Sequence, residues 1–228
     1  MKPKILLVHG AWHNGAGFDL LRGELDKLGI NSKVVELSSV AKENEPIGDM
    51  YQDAQIVRSA VDSISGDCVV LGHSYGGLSL TEGLVGAKNV KKLIFLTAFV
   101  LDKGETLFQA CGSVDPAWWV RNSDNTRLTT ENPAAVFYNT CSKEIADKAV
   151  AQLRTHSLLS FNQEITKTAW SEIDSAYIIC EQDQAIPVFA QEAMSGRCKE
   201  VVRINTDHSP FLSAPAELAE TINYLILN

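Results

Sequence analysis

Short apolar runs rich in β-branched residues punctuate the chain: Lys4 to Val8, Ser32 to Leu37, Cys68 to Leu71, Leu93 to Leu96, Ala176 to Cys180 and Val201 to Ile204. Runs this short and this continuous read as strands buried on both faces, because a strand with one wet face alternates polar and apolar residues instead. Helical periodicity fills the gaps. Phe18, Leu21, Leu25 and Leu28 share one face, closed by Gly29, and Ile47, Tyr51, Ala54, Val61 and Ile64 recur at helical spacing. Pro187 and Gly196 bracket a further helix, and Pro215 opens the last, with Leu218, Ile222 and Leu225 facing inward. This alternation predicts an α/β fold: a mostly parallel six-stranded sheet whose right-handed crossovers place helices on both faces.

The alternation breaks once, across residues 102–171, where the pattern offers helix-like pieces such as Ser142 to Arg154 and no convincing strand. That stretch also carries Trp118, Trp119, Phe137, Tyr138, Phe161 and Trp170. An insertion of this length after one strand reads as a helical lid over the carboxyl edge of the sheet. The whole chain, 1–228, then forms a single domain, a size that can bury a full core.

Composition narrows the function classes. With 45% apolar and 21% charged residues, disordered and fibrous chains are excluded. The 20 basic against 28 acidic residues give a net charge of −8 with no Lys/Arg run, which disfavours nucleic acid as partner. The five cysteines lack metal-ligand or CxxC spacing and read as free thiols of a reducing compartment, so no metal site is expected. The apolar stretch near the N-terminus is too short for a signal-peptide core, and no stretch approaches a membrane span. A cytoplasmic protein without a membrane partner is the expectation; a homodimer is left open.

The chemistry centres on Leu71-Gly-His-Ser-Tyr-Gly-Gly77, a G-x-S-x-G pattern between a strand and the helix-like Leu78 to Leu84. The pattern alone also occurs in plain Gly-rich turns; the strand before and helix after make Ser74 a nucleophile on a strained elbow, with Gly72 and Gly76 clearing space around it. His73 reads as a packing residue. After the first strand come His9, Gly10, Ala11 and Trp12. If the first and third strands are neighbours, the Ala11 and Tyr75 N–H groups face an oxyanion beside Ser74. A serine needs a base, and His208 follows the sixth strand; His13 and His156 are weaker alternatives. The acid belongs after the fifth strand, where Asp183 stands, with Glu181 and Asp102 as rivals. Asp207 reads as a surface or turn carboxylate.

Four blocks, VHGAWHNG, LGHSYGG, CEQDQAIP and DHSPFLSAP, together resemble the small α/β-hydrolases grouped with plant methylesterases and hydroxynitrile lyases, in particular bacterial esterase-like members. The resemblance runs from residue 4 to near the C-terminus and is weak across the insertion. It implies Ser74, Asp183 and His208 as a triad, Ala11 and Tyr75 as oxyanion donors, no cofactor, and a sheet that lacks the first two strands of the larger hydrolases. The lyases of this family carry Thr after the first-strand His and Lys after the catalytic His; here these are Gly10 and Ser209. The resemblance therefore favours a carboxylic-ester hydrolase, with a carbon–carbon lyase or a ligand receptor retaining a slow triad as alternatives. Trp12, Trp118, Trp119 and Phe211 are expected to line the substrate site, and a small-molecule ester with a small alcohol and a flat acyl group is the expected partner.

Overall fold

A computed structural model describes residues 2–227; Met1 and Asn228, the outermost residues of the domain assigned from sequence, lie outside it. In chain order, β1 (Lys4–Val8) leads through a 3₁₀ turn to α1 (Asp19–Lys27), β2 (Ser32–Val35), the two-residue β3 (Val40–Ala41) and α2 (Met50–Asp62). β4 (Cys68–His73), α3 (Gly76–Gly83) and β5 (Val90–Leu96) follow. The insertion carries α4 (Leu107–Ala110), β6 (Trp119–Arg121), β7 (Arg127–Thr130), α5 (Pro133–Phe137), α6 (Lys143–Val150), β8 (Thr155–Ser157) and α7 (Leu158–Asn162). The chain closes with β9 (Ser175–Cys180), α8 (Val188–Ser195), β10 (Glu200–Ile204), α9 (Pro210–Ser213) and α10 (Pro215–Leu227).

Six strands pair in parallel in the order β10-β9-β5-β4-β1-β2. The order reverses between β1 and β4, where Val8 lies opposite Gly72, so the loops leaving both strands open onto one crevice. Side-chain alternation divides the core. Leu6, Val8, Val70 and Phe95 face α2, α3 and the insertion, whereas Ile5, Leu7, Leu71 and Ile94 pack against α1 and α10 through Leu21, Leu25, Leu218 and Ile222. Each such side chain contributes about 1.5–3 kcal/mol on burial.

Element ends are set by local hydrogen bonds that periodicity does not report. β2 stops at Val35, and the Leu37 N–H leaves the ladder to donate to His9 Nε2 at 3.0 Å. Asp49 caps α2 through the Gln52 N–H, which leaves Ile47 ahead of the helix.

The insertion is not purely helical, contrary to the sequence reading. β6, β7 and β8 form an antiparallel sheet with β3, in the order β3-β8-β7-β6. Segments as short and polar as Thr155-His-Ser157 carry no periodic signal, and β8 finds its partner far away in sequence. The two ends of the insertion are tied together by Gly104 N–H to Ile165 C=O and Ile165 N–H to Glu105 C=O, both 2.9 Å. The buried carboxylate of Glu82 on α3 accepts the Thr166 N–H and hydroxyl at 2.8 and 2.6 Å.

Candidate active site

Ser74 directly follows β4 in the left-handed region, at φ 53°, a conformation that costs an ordinary residue about 1–3 kcal/mol. Close backbone approach holds it there. A Cβ on Gly76 would stand 2.7 Å from the His9 carbonyl oxygen, and one on Gly10 would stand 2.8 Å from Ser74 Cβ. The Ser74 carbonyl accepts the Gly77 and Phe99 N–H groups, both at 3.1 Å, which locks the turn. Ser74, His208, Ala11 and Tyr75 border one cleft.

Asp183 and His208 meet behind that cleft. His208 Nδ1 is 2.7 Å from Asp183 Oδ2, and both side chains are buried. The same carboxylate accepts the Ala185 and Ile186 N–H groups at 2.7 and 2.9 Å, a contact from Gln191, and a short hydrogen bond from the Thr97 hydroxyl. Donors on every side keep it an acceptor, so His208 Nδ1 carries the proton and Nε2 is left bare for a base's work. Thr97, itself at φ 38°, was not legible in the sequence. The rival acids lie apart: Glu181 pairs with Arg203 on the surface, and exposed Asp102 accepts its neighbour's N–H.

The other four histidines surround the site and are held neutral. His9 donates from Nδ1 to the Gly10 carbonyl at 2.9 Å while Nε2 accepts from Leu37, so it has no place for a second proton, and burial lowers its pKa. Nearby Glu36 Oε2, 3.6 Å from that occupied Nε2, therefore forms no ion pair with the neutral ring. Because Gly10 C=O and Ala11 N–H are opposite edges of one planar peptide, clamping the carbonyl also aims the N–H. His13 donates from Nδ1 to the Ala11 carbonyl at 2.7 Å and accepts the Tyr138 hydroxyl at 3.0 Å; burial brings its pKa down to about 3. His73 Nε2 donates to the His208 carbonyl at 2.8 Å, and burial together with the neighbouring His208 pushes its pKa well down. His156 meets the Tyr75 ring edge-on, and burial lowers its pKa as well. Neither His13 nor His156 bonds to Asp183, which leaves His208 as the histidine paired with the acid.

Two carboxylates differ from their sequence readings or were missed. Asp207 is not a surface group: fully buried, it accepts the Ser209 N–H at 3.0 Å, the Ser213 hydroxyl at 2.7 Å and, from the insertion, the Thr140 N–H at 3.1 Å. It ties the loop of His208 to the insertion. Asp53 on α2 is buried beneath the elbow, accepting the Tyr75 hydroxyl at 2.8 Å, the Ser38 hydroxyl at 2.8 Å and the Ser39 N–H at 3.0 Å. Burial raises the pKa of both Asp53 and Tyr75.

Trp12, Trp118 and Trp119 border the cleft with Phe137 and Phe161, an aromatic box with ring centroids 4.8–5.3 Å apart at its closest pairs. Trp12 also sits at positive φ, 62°, held by its indole N–H on the Leu128 carbonyl. The expectation for Phe211 is not met. α9 carries it to the opposite core layer, where it packs 4.9 Å from both Phe18 and His73 and supports the site from behind. The five cysteines are unpaired, and among the described residues no group of three or more His, Cys, Asp or Glu is placed to hold a metal ion. No described helix is long and apolar enough to cross a membrane.

A parallel sheet with a serine elbow at its switch point and a paired histidine and carboxylate beside it defines the α/β-hydrolase class. The model of the alpha/beta hydrolase family matches residues 5–221, and the chain belongs to that family. It is 28% identical over 236 residues to the alpha/beta hydrolase nvfD of Aspergillus novofumigatus, covering 94% of this chain and 93% of that one. It is 26% identical to polyneuridine aldehyde esterase of Rauvolfia serpentina, over 95% and 94% of the two chains. Among solved structures, a pyrethroid hydrolase of Sphingobium faniae superposes with a TM-score of 0.84 at 23% identity, covering 98% and 97%.

Proposed function

We propose that this alpha/beta hydrolase is a serine-dependent carboxylic-ester hydrolase. The observation that carries the reading is the 2.7 Å contact between His208 Nδ1 and Asp183 Oδ2 at a cleft shared with the strained Ser74. Relatives named as esterases point to ester cleavage. In the reaction, His208 Nε2 takes the Ser74 proton as Oγ attacks the ester carbonyl, and Asp183 stabilises the imidazolium. The Ala11 and Tyr75 N–H groups receive the negative charge of the tetrahedral oxygen. Collapse expels the alcohol, protonated by His208, and leaves an acyl group on Ser74. Water activated by the same histidine then releases the acid. The scheme needs no cofactor.

The 102–171 insertion serves as the lid, and Trp12, Trp118 and Trp119 contact the substrate. Gly10 lacks the hydroxyl, and Ser209 the cation, that the related lyases carry at these two positions, so cyanide release from mandelonitrile is expected at the buffer rate. The decisive test pairs turnover of p-nitrophenyl acetate with fluorophosphonate labelling. One adduct on the Ser74 peptide, and a loss of several orders of magnitude in Ser74→Ala, are expected. An adduct on another serine, or full turnover by Ser74→Ala, overturns the reading.

A further inference from the structure

Beside the cleft at Ser74 lies a second, far larger cavity between the start of the insertion and α8. That outer cavity holds about 800 Å³, against about 30 Å³ for the cleft. The two adjoin, sharing Phe99, Cys111, Pro116, Trp118, Ala185 and Ile186 in their walls. The inner space has room for about two water molecules, hence a methyl- or ethyl-sized group, whereas the outer one falls within the range of cavities that take drug-sized ligands.

The walls of this vestibule indicate what fits. Phe189 and Val114 line it yet remain 74% and 69% exposed, leaving large apolar surfaces uncovered at its mouth. Among the described lining residues Arg197 is the one cation, and its guanidinium is bonded to both Glu105 oxygens at 2.8 Å and to the Val100 carbonyl. Asp115 is similarly bound to Arg121. No lining cation is left unpaired for a carboxylate or phosphate, so the space suits a neutral, apolar group.

We propose that the vestibule holds the larger half of a neutral ester while the aromatic cleft admits only a small half, making the substrates sterically lopsided. The proposal rests on the ester-hydrolase reading above. It extends the sequence expectation of a small alcohol and a flat acyl group: the insertion packs Trp119 against the cleft beside Trp12, whereas residues 105–118 and α8 line a much wider space.

Four alkyl esters of similar intrinsic reactivity test this with the full chain: methyl acetate, methyl 1-naphthylacetate, 2-(1-naphthyl)ethyl acetate and 2-(1-naphthyl)ethyl 1-naphthylacetate. One of the two singly bulky esters is expected to exceed methyl acetate at least tenfold in kcat/KM, and the doubly bulky ester to fall at least tenfold below that best substrate. Ala190→Trp, which fills the α8 wall, should shrink the preference for the bulky ester at least tenfold. Ala193→Trp, at an exposed position of the same wall, serves if the first variant melts early. Equal handling of the doubly bulky ester, or a preference that survives both variants, overturns the proposal. If no ester is cleaved and Ser74 takes no label, the hydrolase reading is what has failed. Equilibrium dialysis of 1-naphthylacetamide then reads the vestibule alone: tenfold weaker binding in the Trp variants retains it as an apolar site, and unchanged binding removes it.

Discussion

His73 Nε2 stands 2.8 Å from the carbonyl oxygen of His208, so the residue beside Ser74 holds the loop that carries His208. A carbonyl can only accept, which fixes the His73 proton on Nε2 and leaves its Nδ1 buried without a partner against Gly10. Replacing His73 by Phe keeps a ring but strands the carbonyl, at a cost of about 1–3 kcal/mol. Turnover should fall about tenfold to a hundredfold with little change in KM, and His73→Gln, which keeps an N–H donor, should recover part of it. An unchanged kcat in His73→Phe removes His73 from any positioning role.

The acid is tested by contrast. Asp183→Asn should lower kcat by about 10⁴, as loss of the orienting carboxylate does in the serine protease template. Thr97→Val removes one donor from that carboxylate and should cost about tenfold. Asp102→Asn and Glu181→Gln, at exposed positions away from His208, should leave steady-state rates near those of the parent. The reverse ranking would move the acid elsewhere.

Stability should decline as the solution is acidified. His9, His13, His73 and His156 are buried and their pKa values are lowered, so between their folded values and about 6.5 the unfolded chain binds more protons than the native one. Their contribution is fully present above pH ~6.5 and is lost as pH falls, at about 1.4 kcal/mol per pH unit for each group. For His13 the window extends down to about 3. Asp53, with a raised pKa, acts in the opposite direction above pH ~4, one group against four. Urea midpoints should hold level from pH 8 to about 6.5 and fall from there to pH 5; a flat profile throughout would mean that these rings are not buried neutral.

The thiols should be inert in the native protein. Burial pushes Cys111 and Cys141 up to about 12 and Cys198 to about 11, and raises Cys68 and Cys180 as well. At pH 8 a thiol of pKa ~11 is about one part in a thousand thiolate, against roughly a quarter for an ordinary cysteine. Iodoacetamide should therefore modify Cys111, Cys141 and Cys198 at least about a hundredfold more slowly in the native state than in guanidinium, where all five cysteines react. Rapid labelling of native Cys68 or Cys180, both buried, located by peptide mapping, would mark an opening that the fold does not contain.

Much of this protein was already written along the chain. The buried strands announced themselves because parallel strands covered on both faces must be continuously apolar, and the elbow because a left-handed serine needs glycine around it. Ser74, Asp183 and His208 could be nominated because catalytic side chains gather on loops at the carboxyl ends of strands, and those ends were legible. The tertiary structure decided the rest. The Thr97 hydroxyl on Asp183 and the grip of His73 on the His208 carbonyl join residues 86 and 135 positions apart, which no local pattern encodes. The burial of Asp53 and Asp207 depends on which elements close over them, and a carboxylate looks the same in sequence whether it is wet or dry. The sheet within the insertion and the displacement of Phe211 to the far layer follow the same rule. Short polar strands and four-residue helices carry too little periodicity to reveal their partners, so long-range packing alone determines where their side chains go.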